Sequence, residues 1–340
     1  MNAQPALRIS ALLIVTWGLA SAAAAQSPEM TDVARRFAAA YEAQDWPRAI
    51  ELGRKLHELA PREPAHAYNV ACCYALSGAR DEALAWVKKA AELGFSDAEL
   101  VRNDPDLKRL HGSPEFESAV ARIEENQAEA HQDLAARAAR SEPILLAPRA
   151  ADPSKPAILI IALHPYGRTA ADAVAVWRAL AAEHGAVLAA PQAFNKTGDG
   201  YQWGDTEQAE ALVDAAIDKA RASYKIDEQR IVLTGFSQGG MMAYNLAARH
   251  PERFRGVIPV AGLYEKSVGA RLKSASLKKP KFFIMVGAED RVVESNREAA
   301  RDLAGAGAPT ELAVYEGVGH AFPRNRDAEL RKALRFVLED

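Results

Sequence analysis

The run Ile231-Val232-Leu233-Thr234-Gly235-Phe236-Ser237-Gln238-Gly239-Gly240-Met241-Met242 joins a β-branched, apolar stretch to a helical pattern through Gly-x-Ser-x-Gly. A junction of this kind makes a sharp strand-to-helix turn that pushes the serine hydroxyl out at its apex. Glycine flanks the apex because the turn brings backbone segments too close together for a Cβ. A tight turn carrying an ordinary surface serine is the simpler alternative. It leaves unexplained the buried-strand signal before the motif, the helix after it, and the acid and histidine described below.

From Glu142 onward the chain alternates. Pro143-Ile144-Leu145-Leu146-Ala147-Pro148 reads as a short strand, and 149–156 as a turn. Further strand candidates are 157–163, 186–190, 230–234, 256–260, 281–286 and 311–315. Helical stretches lie between and after them at 170–183, 207–224, 239–249, 295–305 and 327–338. Strands and helices in alternation, with continuous Val/Ile/Leu runs, imply a mostly parallel sheet covered by helices on both faces, an α/β fold class. Ligands in such sheets bind at the carboxyl ends of the strands. Ser237 and its candidate partners all fall at such ends.

A serine hydroxyl needs a base within hydrogen-bond reach, and the base needs a group that fixes its tautomer. His320, in Glu316-Gly317-Val318-Gly319-His320-Ala321-Phe322, follows the last strand on a glycine loop. His57, His66, His111 and His131 belong to a helical region, His184 and His250 sit at helix C-termini, and His164 precedes Ser237. Asp290, in Val286-Gly287-Ala288-Glu289-Asp290-Arg291, follows the penultimate strand, with Glu289 as rival acid. An oxyanion needs two preorganised N–H donors. Gln238 supplies one from its backbone, at a helix start whose dipole favours negative charge. The second comes from the loop His164-Pro165-Tyr166-Gly167. Pro165 has no N–H, so Tyr166 is the expected donor, with Gly167 next.

Residues from about 31 to 140 are helical throughout. Asp45-Trp46-Pro47-Arg48-Ala49-Ile50 and Ala79-Arg80-Asp81-Glu82-Ala83-Leu84 align at an offset of about 34 residues, with Gly78 at the second turn. This region resembles tetratricopeptide repeats, most clearly in Tyr68-Asn69-Val70-Ala71-Cys72-Cys73-Tyr74-Ala75-Leu76. The resemblance implies an interaction surface for a protein partner. A helical appendage that only stabilises the chain is the alternative.

The C-terminal two-thirds resembles the α/β-hydrolase superfamily. Leu163-His164-Pro165-Tyr166-Gly167, Gly235-Phe236-Ser237-Gln238-Gly239-Gly240, Gly287-Ala288-Glu289-Asp290-Arg291-Val292-Val293 and Gly319-His320 are similar to its phospholipase/carboxylesterase group, with Pro191-Gln192-Ala193 and Trp203-Gly204-Asp205 in support. The resemblance implies a Ser237–Asp290–His320 triad, oxyanion donors at Gln238 and Tyr166, a small-molecule ester substrate, and neither cofactor nor metal. Pro165 departs from the glycine usual in that loop. Tyr166, Phe194, Tyr201, Trp203, Tyr264 and Phe322 cluster near the expected mouth, and Trp203 and Phe322 are the candidate substrate contacts. The polar, glycine-rich stretch 195–204 reads as a mobile loop. Two other readings are kept: a serine peptidase of the oligopeptidase type, and a binding protein whose repeats carry the function without catalysis.

Composition narrows the partners. Net charge is only −3 over 340 residues and no basic block exists, which argues against nucleic acid. Arg8, the apolar run 9–20 and Ala23-Ala24-Ala25 read as a secretory signal peptide over 1–25, giving a secreted or periplasmic chain without stable membrane insertion. Domains are then 26–141, helical, and 142–340, the hydrolase-like α/β domain. The two cysteines, Cys72 and Cys73, are adjacent on a helix and point about 100° apart. They suit core packing rather than a bridge or a metal site.

Overall fold

The computed structural model describes residues 27–147, 155–273 and 280–339; the segment 1–25 expected to be a signal peptide and most of the expected turn at 149–156 lie outside the described residues. The chain divides into two units, one ending at Asp133 and the other starting at Leu134.

In the first unit α1 (Pro28–Glu42), α2 (Trp46–Leu59), α3 (Pro64–Ser77), α4 (Arg80–Glu92) and α5 (Ala98–Asn103) precede the long α6 (Pro114–Ala139), whose last residues, from Leu134, count with the second. Polar side chains start the helices by accepting from otherwise unpaired amides: Ser27 from Met30, Asp45 from Arg48, Asp97 from Leu100. Gly78 closes α3 at φ 87°, a conformation that favours glycine. The helices pack as two clusters. Phe37, Leu52 and Leu56 of α1 and α2 gather around Cys73. Tyr68, Cys72 and Val87 of α3 and α4 are covered by Phe116, Val120 and Ile123 of α6. Both thiols are free and buried, and the 100° step between helical neighbours sends one into each cluster.

The second unit is built on a seven-stranded sheet of β1 (Ile144–Leu146), β2 (Ala157–Leu163), β3 (Val187–Ala190), β6 (Ile226–Phe236), β7 (Gly256–Val260), β8 (Lys281–Gly287) and β9 (Thr310–Tyr315), ordered β1-β3-β2-β6-β7-β8-β9. Only β1 runs antiparallel to its neighbour. Side chains alternate across the sheet. Leu159, Ile161 and Leu233 pack under α8 (Thr206–Ser223), α9 (Gln238–Arg249) and α11 (Val293–Gly305). Ile158, Ile160 and Val232 pack under α7 (Ala170–Glu183) and α12 (Arg326–Leu338). This is the α/β-hydrolase fold expected from the sequence, preceded by an all-α region.

Three local features differ from the expectation. β6 begins at Ile226 because its pairing with β2 shifts register between Ala157 and Leu159, which lets the strand start early. A short α10 (Lys266–Lys273) follows β7. The stretch expected to be a mobile loop holds an antiparallel hairpin, β4 (Asn195–Thr197) with β5 (Gly200–Gln202). No described helix is long and apolar enough to cross a membrane.

Candidate active site

Ser237 sits between β6 and α9 with φ 55° and ψ −116°, one of the few non-glycine residues at positive φ. Such a backbone is strained and persists only where its surroundings enforce it. Here they do. A Cβ on Gly235 would run into the Gly239 carbonyl, and one on Gly239 into the Leu163 carbonyl at the end of β2. The Ser237 amide donates to Val260 O at 2.9 Å, so the apex is pinned to β7 as well.

The loops after β8 and β9 meet above this apex. Gly287 lacks the Cβ that would strike Val318 O, and the Glu289 amide donates to that same carbonyl at 3.0 Å. The close approach brings Asp290 to His320. The imidazole Nδ1 lies 2.7 Å from Asp290 Oδ2, and Nε2 lies 2.8 Å from Ser237 Oγ, across 83 positions of sequence. The Asp290 side chain is fully buried, and its other oxygen accepts from the Val292 amide at 3.1 Å. His320 is partly open, tilted against Phe236, on which Phe322 stacks. A proton on Nδ1, directed at the carboxylate, would leave Nε2 able to accept from the serine hydroxyl. Glu289, the rival acid, does not make this contact; its backbone serves the loop instead.

The amides of Gln238 and Tyr166 have no acceptor among the described residues. Both lie at carboxyl ends of adjacent strands, after β6 and β2. Gly167 N instead donates to Tyr201 O at 2.9 Å, so that amide is already used. The Tyr166 side chain is more than half exposed and its hydroxyl lies 3.1 Å from Thr197 Oγ1 on the hairpin.

Ser237, His320 and Asp290, far apart in sequence, therefore form one hydrogen-bonded relay on a strained apex. Residues 146–335, more than half of the chain, match the dienelactone hydrolase family. The chain belongs to that family. A poly(3-hydroxyalkanoate) depolymerase C of Paucimonas lemoignei is 36% identical over 113 residues, covering 31% of this dienelactone hydrolase family chain and 27% of the relative. Feruloyl esterase C of Emericella nidulans is 32% identical over 129 residues, covering 36% and 46% respectively. The chain thus spans less than half the length of these curated relatives. A crystal structure of an uncharacterized protein from Bacillus cereus is similar in fold, with a TM-score of 0.50, 20% identity, and coverage of 91% of this chain and 98% of that one.

One expectation for this dienelactone hydrolase family member needs correction. Trp203 is only 2% exposed, so its indole belongs to the core rather than to a substrate surface. It stacks on the His164 ring at 4.8 Å and donates from Nε1 to His164 O at 2.8 Å. Phe322 remains half-buried beside the relay.

His164, which chain order excludes as the base, has a structural role. Its ring is wholly buried. Nδ1 faces Pro165 O at 2.9 Å, while Nε2 accepts from the Ala193 amide at 3.2 Å and faces Gln192 Nε2 at 3.0 Å. Gln192 Oε1 in turn accepts from the Ala170 amide that opens α7. Nothing in the residue pattern distinguishes such a pillar from any histidine after a strand.

Burial pushes the His164 pKa below the ordinary histidine value of 6.5, against smaller opposing effects of the Pro165 carbonyl and Asp172. Protonation would turn Nε2 from acceptor to donor and face it with two other donors. The unfolded chain therefore binds a proton that the native state refuses, so stability rises with pH across this window. His164 contributes fully above about 6.5, the unfolded value, and progressively less as the pH falls toward its lowered native value. Melting temperature measured from pH 7.5 down to 5 is expected to fall, and to fall less steeply in His164→Gln. Parallel curves for the two proteins would refute the assignment. His57 and His66, also lowered by burial, add to the same trend in both.

Proposed function

We propose that the chain is a serine hydrolase that cleaves carboxylic esters through an acyl-enzyme intermediate. The observation that carries the reading is the 2.8 Å approach of His320 Nε2 to Ser237 Oγ with Asp290 on the opposite ring nitrogen. His320 takes the hydroxyl proton as Ser237 Oγ bonds to the ester carbonyl carbon. The Gln238 and Tyr166 amides receive the oxyanion. His320 then gives its proton to the departing alkoxide, and the acyl group stays on Ser237. Water, deprotonated by the same imidazole, attacks the acyl-enzyme and frees the acid and the serine.

The relatives named as a depolymerase and a feruloyl esterase support an ester substrate. Tyr166 and Leu263, exposed large apolar side chains on loops after β2 and β7, support contact with an apolar acyl or aryl group. The 34-residue repeat supports a tetratricopeptide-like helical region that carries a protein partner, and the leader-like residues 1–25 support export of a chain starting near Gln26.

A fluorophosphonate probe followed by peptide mass spectrometry tests the reading on the exported protein. The expected result is a single adduct on the peptide containing Ser237, with turnover of p-nitrophenyl esters and a mature N-terminus near residue 26. Absence of the adduct together with failure on the ester panel would remove the enzyme assignment. Cleavage of peptides alone would replace it with a peptidase.

A further inference from the structure

The two amides assigned to the oxyanion belong to different loops, and neither loop by itself sets the distance between them. Hydrogen-bond donors of this kind work only when held within about 0.5 Å of their productive positions. The β2–β6 pairing ends at Leu163 and Gly235, short of Tyr166 and Gln238, and Gly239 lets α9 approach the end of β2. Beyond that ladder a directional tie is supplied by one residue. The Trp203 indole N–H donates to His164 O, two positions before Tyr166. The Trp203 backbone N–H donates to Gln238 Oε1 at 3.0 Å, and Gln238 Nε2 returns a bond to Trp203 O at 3.0 Å.

Trp203 itself has little freedom. Its ring is packed on His164 and buried in the core. The chain before it is the β4–β5 hairpin, which is pressed onto the same loop. Hairpin and loop exchange bonds, the Gly167 amide giving to Tyr201 O and the Tyr201 amide to Arg168 O at 3.0 Å. A Cβ on Gly200 would collide with Gly167 O. The Gln238 side chain, at the first position of α9, makes no other contact of this directional kind among the described residues. A glutamine that only faced solvent would not be locked by two bonds to the backbone of one residue.

We propose that Trp203 is a positioning residue that ties the two oxyanion donors to each other, through its indole on the Tyr166 side and through the Gln238 side chain on the other. This rests on the ester-hydrolase reading above. Cutting the tie at either end frees the spacing between the donors, which matters when the carbonyl oxygen becomes an oxyanion and little before that. The loss therefore belongs in kcat and not in KM. It also follows that a second cut adds nothing to the first, because a strut severed once no longer transmits position.

Two variants of the full-length mature protein test this with a p-nitrophenyl ester. Gln238→Met keeps the side-chain length and loses both bonds to the Trp203 backbone. Trp203→Phe keeps a ring against His164 and loses the indole N–H. Complete loss of one oxyanion donor costs about 10²–10³ in kcat, so a displaced donor is expected to cost roughly 10- to 100-fold. The expected result is a fall of that size in each variant, KM within about twofold of wild type, a parallel loss of affinity for an alkyl boronic acid that forms a tetrahedral serine adduct, and a double variant no slower than the slower single. Unchanged kcat in both singles, or multiplicative losses in the double variant, overturns the proposal. So does a loss that appears equally in KM and leaves boronate affinity intact. Should Gln238→Met fail to fold, Trp203→Phe with the boronate measurement decides alone. A wild-type protein that neither turns over esters nor takes the fluorophosphonate label fails the function itself, a result separable from any of these.

Discussion

Ser237→Ala is expected to lower ester turnover by roughly five to six orders of magnitude, the scale seen when a serine nucleophile acting with its base is removed. The fold should tolerate the change. Alanine takes the same strained backbone as serine, the apex amide still donates to Val260 O, and the lost Oγ has His320 as its hydrogen-bond partner. Circular dichroism and melting temperature should therefore match wild type within a few degrees, while hydrolysis of a p-nitrophenyl ester drops to background. A variant that keeps its rate would mean that the relay is not the reacting centre.

Asp290→Asn is the second large effect, about 10⁴-fold in kcat at neutral pH. The local bonding decides the direction. Asp290 is fully buried, with one oxygen on the Val292 amide and the other on His320 Nδ1. In the asparagine variant the Val292 N–H claims the amide oxygen, which turns the NH₂ toward the imidazole. Nδ1 must then accept, and the ring proton moves to Nε2, where it points at the serine oxygen and blocks proton removal. The substitution conserves volume, so folding is little affected. A loss smaller than tenfold at saturating substrate would contradict this tautomer argument and with it the assignment of Asp290 over Glu289.

Parts of this molecule governed by local rules were readable without coordinates. β2 and β7 coincide with their expected limits because continuous apolar runs bounded by turn residues leave few alternatives. The apex at Ser237 was legible because only glycine on both sides allows the contacts with Gly239 and Leu163 carbonyls. The meeting of Asp290 with His320 was expected from residue type and chain order, and Gly287 is the physical reason that it happens. What escaped depends on partners far along the chain. Trp203 looked like a mouth aromatic because nothing periodic surrounds it, yet its ring is claimed by His164. The hairpin at 195–202 is only three residues a strand and takes its order from the loop against which it lies. Side-chain bonds such as Gln192 to His164 have no spacing rule at all.

The parallel sheet separates what can vary from what cannot. Each group that meets the substrate leaves from a strand's carboxyl end, while the strands carry none of the chemistry. Loops 164–168, 191–205, 261–265, 288–292 and 316–325 therefore form a rim on a fixed chassis, in which Tyr166, Trp203, Asp290 and His320 are kept and the residues between them are open to change. A lineage, or an engineer, can retune what fits there by changing those intervening residues one loop at a time. Gly235, Gly239 and Gly287 are the bolts that hold the rim to the chassis, and a change at any of them forfeits all the variants at once.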